Sequence, residues 1–147
     1  MRVNGLIDTG AILALLDADD RWHEPCRRAV EAARLPLGTT AAVLTELFHL
    51  IGPRPHDMGA AWRFIRRGAV MVMPIQDQDL PAIETLMNRY ADRPMDFADA
   101  TLVHLAHTES TNRVITIDHD DFETYRVGVR PFDIRPARFP QGVHDCE

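Results

Sequence analysis

The chain is predicted to fold as an α/β domain, a parallel sheet covered by helices on both faces. Three observations carry this. Short apolar runs alternate with longer segments of helical period along the 147 residues. The runs are apolar throughout rather than at every second position, as expected of strands buried on both sides. No stretch is rich enough in Pro, Gly or Ser to divide the chain, so one sheet takes all the runs.

The elements follow in order. Residues 3–8 form the first strand, with Val3, Leu6 and Ile7 apolar and Asp8 at its end. Residues 9–17 form a helix that Thr9 can cap. Residues 20–33 form a second helix, with Asp20 as cap, an apolar stripe of Trp22, Cys26, Ala29, Val30 and Ala33, and Arg27, Arg28 and Glu31 facing out. Residues 36–39 are a short strand. Thr40 then caps a helix over 41–51 that stops at Gly52-Pro53. Its core stripe is Val43, Leu44, Leu47, Leu50 and Ile51, with His49 toward solvent. Another helix spans 57–67 and ends at Gly68. Residues 69–74 are a strand of continuous apolar character. A helix over 79–90 places Leu80, Ile83, Leu86 and Met87 on one face. A helix over 96–108 and a buried strand over 114–117 follow, and a last short strand is expected around 127–132. Beyond 132 the chain carries several Pro and no periodicity, so residues 1–132 read as the domain and 133–147 as a C-terminal tail.

Composition narrows the function classes. The chain is 46% hydrophobic and 26% charged, ordinary for a soluble globular protein. No apolar run approaches the roughly 20 residues that span a bilayer, so no membrane association is expected. The N-terminus lacks a basic start and a small-residue cleavage site, and Asp8 and Asp17 interrupt its apolar character. Cys26 and Cys146 are far apart and match no metal spacing, so they read as free thiols in a reducing cytoplasm. The net charge of −6 argues against a broad basic surface for duplex DNA. All 16 cationic side chains are arginine. The absence of lysine removes Schiff-base chemistry, a Walker-type phosphate lysine and the lysine of a receiver domain. No Asp-x-Asp follows the first strand, as a phosphatase of the haloacid-dehalogenase kind requires.

The acids at element junctions carry the chemistry. Asp8 ends a buried strand, where open α/β sheets bind ligands; it is either a cap for the next helix or a ligand. Glu46 flanks the core stripe of its helix, a costly place for a carboxylate unless it is bonded, bound to metal or reaches water. Asp96 and Asp99 share the first turn of a helix after Pro94, where capping explains one well and both adequately. Asp118 follows Val-Ile-Thr-Ile and repeats the pattern of Asp8, with Asp120 and Asp121 close behind and Thr116 placed to bond a neighbouring acid. Two strand ends and two helices thus deliver acids that one sheet edge can gather. Crowded carboxylates raise one another's pKa and stay ionised only with a cation. Oxygen-only donors select Mg2+ or Mn2+ over Zn2+, and such a centre suits phosphodiester hydrolysis.

Four phrases in order resemble the PIN-domain nucleases, and among them the VapC-like toxins of bacterial type II toxin–antitoxin pairs. They are Leu-Ile-Asp-Thr-Gly from Leu6, Thr-Ala-Ala-Val-Leu-Thr-Glu-Leu from Thr40, Asp-Phe-Ala-Asp-Ala-Thr-Leu-Val from Asp96, and Thr-Ile-Asp-His-Asp-Asp-Phe from Thr116. The resemblance implies a three-layer sandwich with a five-stranded parallel sheet flanked by helices, and a Mg2+- or Mn2+-dependent endoribonuclease. It places the catalytic and metal-binding acids at Asp8, Glu46, Asp99 and Asp118, with Asp96 as an extra acid at the metal, Thr9 and Thr116 in support, and Asp120 and Asp121 as rivals for the fourth position. Asp8 is expected to bind metal and not to form a covalent intermediate. The resemblance also implies a homodimer, RNA such as tRNA or mRNA as substrate, and a cognate antitoxin protein as partner. The alternative is a PIN-like module that binds RNA or protein without cutting.

Other residues give weaker signals. Arg63, Arg66 and Arg67, or Arg126 and Arg130, offer phosphate contacts, although a solvated face explains each as well. Trp22 and Trp62 read as packing residues before base-stacking ones. His104 and His107, three apart on one helix, read as ordinary histidines before a zinc pair.

Overall fold

The computed structural model describes residues 2–138. Its central sheet has five strands in the order β3-β2-β1-β4-β7, every pairing parallel. These are β1 (Leu6–Ile7), β2 (Leu37–Thr39), β3 (Val70–Val72), β4 (Arg113–Ile115) and β7 (Asp133–Arg135). Seven helices flank them: α1 (Thr9–Leu16), α2 (His23–Ala32), α3 (Ala41–Ile51), α4 (Pro55–Arg66), α5 (Leu80–Arg89), α6 (Phe97–Thr108) and α7 (His119–Thr124). A short antiparallel pair, β5 (Arg126–Val127) and β6 (Arg130–Pro131), stands apart from the sheet. No helix among the described residues is long and apolar enough to cross a membrane.

The core explains why these residues form this sheet. Leu6, Ile7, Leu37, Val114 and Ile115 have no exposed surface, so the central strands are covered on both faces. α6 is buried along almost its whole length, from Ala98 to Ala106, and packs on α3 and α5. The chain steps from β1 outward to β2 and β3, then returns past β1 to β4. That reversal makes the crevice between β1 and β4 the topological switch point.

Five expectations shift. The edge strand β3 is not buried throughout: Met71 and Val72 face solvent, 39% and 42% exposed, because β3 has a neighbour on one side only. Leu50, assigned to the core stripe of α3, is 56% exposed, while Ile51 beside it takes the buried position of the last turn. α2 begins at His23 rather than after Asp20, because Asp20 holds a turn instead, its carboxylate accepting the Trp22 N–H at 2.7 Å. α4 begins at Pro55, whose ring suits the first helical turn.

The fifth shift is the last strand. Residues 127–132 form a hairpin, not a sheet strand. Gly128 turns the chain with φ +65° and Pro131 lacks the N–H a ladder needs. The fifth sheet strand lies at Asp133–Arg135, beyond residue 132, and Arg113 pins it to β4 with a 2.8 Å ion pair to Asp133. Cys26 is buried, which pushes its thiol up to about 12 and leaves it inert. Cys146 and the rest of the segment after 138 lie outside the described residues.

Candidate metal centre

The register of β1 and β4 builds the centre of the site. Leu6 pairs with Val114 and Ile7 with Ile115, so the residues that follow, Asp8 and Thr116, emerge side by side. The Asp8 N–H extends the ladder to the Ile115 carbonyl at 3.0 Å. Asp8, rather than Thr9, caps α1: its Oδ1 accepts the Thr9 N–H at 2.8 Å. Its Oδ2 accepts the Thr116 hydroxyl at 3.1 Å. Thr116 Oγ1 in turn accepts the Asp118 N–H at 3.0 Å. One buried hydroxyl therefore ties the two strand ends together.

Helix ends bring the other acids. Thr40 caps α3 and starts the turn that carries Glu46. The Thr9 hydroxyl lies 2.9 Å from Glu46 Oε1 and 3.3 Å from the Val43 carbonyl, so Glu46 is held at the mouth of the crevice. Asp96 caps α6, its Oδ1 accepting the Asp99 N–H at 2.8 Å. That leaves Asp99 in the first turn, 8% exposed, with its Oδ2 accepting the Tyr125 hydroxyl at 3.0 Å. Asp118 caps α7 and accepts the Asp121 N–H at 3.4 Å.

All five predicted acids line one open cleft of about 400 Å³, and Asp121 makes a sixth. Oxygens of Asp99, Asp118 and Asp121 come within 4.8 Å of one another. Asp120 does not join them; Arg138 takes its carboxylate at 2.5 Å on the outside of α7. A larger hollow of about 500 Å³ lies beside the cleft and shares Leu50 with it. There the charges are mixed, with Arg54 paired to Asp57 at 2.7 Å. Of the two, the smaller cleft concentrates one sign of charge.

That concentration shows in the titration of the acids. Burial, and then the charges of Asp8 and Asp96, push the Asp99 carboxyl up to about 8 against the Tyr125 hydrogen bond. Burial pushes Asp8 up to about 6, opposed by the Thr9 and Thr116 bonds and reinforced by Glu46 and Asp118. Burial and Asp121 raise Asp118 to about 6. The site as built is short of positive charge, and its donors are carboxylate oxygens. That donor set fits a divalent oxygen-seeking cation.

Sequence reasoning missed Tyr125. Its ring is fully buried, stacked edge-on against Phe122 at 5.2 Å and Tyr90 at 5.1 Å. Burial pushes the phenol well up, so it remains a donor to Asp99. The signal available was an aromatic residue one turn after Asp121, but its bond to Asp99 joins residues 26 apart. Tyr125→Phe is expected to leave the fold intact and to weaken Mn2+ binding by roughly tenfold, as loss of a bond that orients a ligand does. Calorimetric titration of both proteins checks this; equal affinities would remove Tyr125 from the site.

The remaining signals resolve structurally. Arg63, Arg66 and Arg67 are exposed on or just after α4, and Arg126 donates to the carbonyls of Glu123 and Tyr125 at 2.7 and 2.9 Å. Trp62 is half exposed and packs on Phe48 at 5.0 Å, and Trp22 packs on His119 at 5.2 Å. His104 is buried against Asp79 at 3.0 Å, while His107 is exposed.

Known proteins share this architecture. The chain is 25% identical over 142 residues to ribonuclease VapC26 of Mycobacterium tuberculosis, covering 89% of this chain and 99% of the relative. The crystal structure of VapC20 from Mycobacterium tuberculosis, described as a sarcin-ricin loop cleaving toxin, superposes with a TM-score of 0.68 at 22% identity, over 80% of this chain and 92% of that one. VapBC2 from Rickettsia felis, solved bound to a DNA fragment from its promoter, gives 0.60 at 10% identity, over 80% and 90%. The family model of the PIN domain matches residues 5–128, from the first strand of the sheet to the turn of the hairpin after α7, and the chain belongs to the PIN domain family.

Proposed function

We propose that this protein is a metal-dependent endoribonuclease and the toxin of a toxin–antitoxin pair. The observation that carries the reading is the gathering of six carboxylates from separate parts of the chain into one cleft at the switch point. Similarity to ribonuclease VapC26 along nearly the whole of both chains supports RNA as the substrate class. The partners that follow from this reading are a cognate antitoxin protein and a second copy of the chain.

Mg2+ or Mn2+ fits the site, with Asp8, Asp99, Asp118 and Asp121 as the acids that hold it and Asp96 and Glu46 at its edge. Such an ion supplies Lewis-acid polarisation of a phosphodiester and acidifies water. The protein's own groups do the rest. Thr116 and the Thr9 N–H fix Asp8 in one orientation. Tyr125 occupies Oδ2 of Asp99 and, among the described residues, leaves Oδ1 without a hydrogen bond. Thr9 occupies Oε1 of Glu46, so Oε2 is left to take the proton that an attacking water gives up. Hydrolysis joins that water to phosphorus and breaks the bond to the leaving ribose oxygen, which solvent protonates.

The test is cleavage of cellular RNA by the wild type and by Asp8→Asn. Cleavage that needs Mg2+ or Mn2+, stops with EDTA and is lost in the variant is the expected result. Undiminished cleavage by a folded Asp8→Asn protein, or cleavage indifferent to EDTA, contradicts the mechanism.

A further inference from the structure

We propose that Arg93 is a substrate-phosphate clamp, set by Asp121 at the edge of the acidic cleft to receive the RNA backbone. This rests on the ribonuclease reading and adds the group that lets a polyanion approach a pocket of its own sign. Six carboxylates line the cleft and, among the described residues, no cationic side chain does. An RNA strand carries a negative charge at every phosphate, so entry needs a positive group beside the acids.

Arg93 is the group in that place. It directly precedes Pro94, which lines the cleft. Its Nε donates to Asp121 Oδ1 at 3.0 Å. Other arginines pair with acids outside the cleft. Arg138 serves Asp120 and Glu123, Arg113 serves Asp133, and Arg54 serves Asp57.

The backbone at Arg93 is anchored as well. Its N–H bonds the Tyr90 carbonyl at 3.1 Å, and Tyr90 stacks edge-on against Tyr125, the ring that holds Asp99. One aromatic stack thus positions both an acid of the centre and the loop carrying Arg93.

The guanidinium is oriented yet unspent. It has five N–H donors in a planar fork. Among the described residues, Asp121 takes the Nε proton and the two terminal nitrogens make no hydrogen bond. The side chain is 48% exposed, so that edge meets solvent. Two terminal nitrogens side by side are the geometry that grips a phosphate bidentately. Contrast Arg27, whose two terminal nitrogens are both taken by glutamates.

The test separates a phosphate contact from mere support of Asp121. Arg93→Ala and Arg93→Lys are placed in the Asp8→Asn protein. Their affinity for a short mixed-sequence single-stranded RNA is read by fluorescence anisotropy over a range of salt. Mn2+ affinity is read by calorimetry in the otherwise wild-type chain. Arg93→Ala is expected to weaken RNA binding about tenfold and to lower the salt slope by about one contact. Arg93→Lys, which keeps the charge without the fork, is expected to recover part of that loss and to restore the salt slope. Mn2+ affinity is expected to change far less than RNA affinity, because the lost Asp121 bond is offset by removal of a cation beside the site. In cleavage assays the alanine variant raises KM more than it lowers kcat. RNA affinity equal to the parent overturns the assignment. So does a parallel fall in RNA and Mn2+ affinity with no recovery by lysine, which makes Arg93 a support for Asp121 only. If the wild type cleaves no RNA and the parent binds none, the ribonuclease reading fails and takes this inference with it; cleavage by the wild type with unchanged binding by Arg93→Ala removes this inference alone.

Discussion

Asp99→Asn is expected to abolish RNA cleavage and, in chelator at pH 8, to make the protein more stable. The two effects share one cause. Asp99 is buried beside Asp8 and Asp96, and its carboxyl is pushed up to about 8. Holding it charged without a cation costs the fold; Asn keeps the shape, and its amide oxygen accepts the Tyr125 hydroxyl as the carboxylate does. Relieving a charge of this kind is worth on the order of 2 kcal/mol, or roughly 5 °C in Tm for a domain of this size. The loss of cleavage should reach about 1,000-fold, since a metal's stabilisation of the transition state is several kcal/mol and each 1.4 kcal/mol is tenfold. Thermal unfolding with EDTA at pH 8 and at pH 4 reads the first effect. The gain should vanish at pH 4, where the wild-type carboxyl is protonated too. An Asn variant that is less stable than wild type at pH 8 would show that the carboxylate serves the fold instead of an ion.

The second large effect is the pH dependence of stability without metal, and its reversal by metal. Unfolded, Asp8, Asp99 and Asp118 release their protons near the ordinary 3.8; folded, they keep them to about 6, 8 and 6. Between those limits the folded chain binds more protons than the unfolded one, so stability falls as pH rises. The fall begins above pH 4, is steepest to about pH 6, and continues through Asp99 to about pH 8. Acids held low by their partners act in the opposite sense. Asp79, Asp133 and Glu109 are each depressed, and the stability they give is lost as pH drops through their folded values. The metal-free protein should therefore be most stable at roughly pH 4, where the two trends cross. Mn2+ binds the ionised acids, so it should add little at pH 5 and most at pH 8, moving the optimum upward. Tm measured from pH 4 to 9 with EDTA and with Mn2+ tests this. A metal-free curve that rises steadily to pH 8 would mean that these acids are already neutralised by the protein.

Much of this site is legible along the chain, and the reasons are local. Asp8 and Asp118 close apolar segments of the strand regions, and Asp96 and Asp99 open a helix after a proline, so a reader of the sequence meets acids at element ends. Such positions face the edge of a parallel sheet whatever the details of packing. Glu46 was legible for a different reason: one turn from Val43 and next to Leu47, it borders the stripe that faces the core. The choice among Asp118, Asp120 and Asp121 was not legible. The helical turn after Asp118 returns Asp121 to the cleft and turns Asp120 outward to Arg138.

The sequence by itself determined the layered α/β class, because strands buried on both faces must be apolar throughout and helices must show their own period. It also determined that acids collect at strand and helix ends, because those ends are marked by where the apolar runs stop. Only the tertiary structure decided which strands are neighbours, since parallel pairing depends on contacts between residues far apart in the chain. The fifth strand shows this: Asp133–Arg135 has weak strand character of its own and joins the sheet through β4. Tyr125 and Arg93 joined the site in the same way, each through one bond, to Asp99 and Asp121, that no local pattern announces.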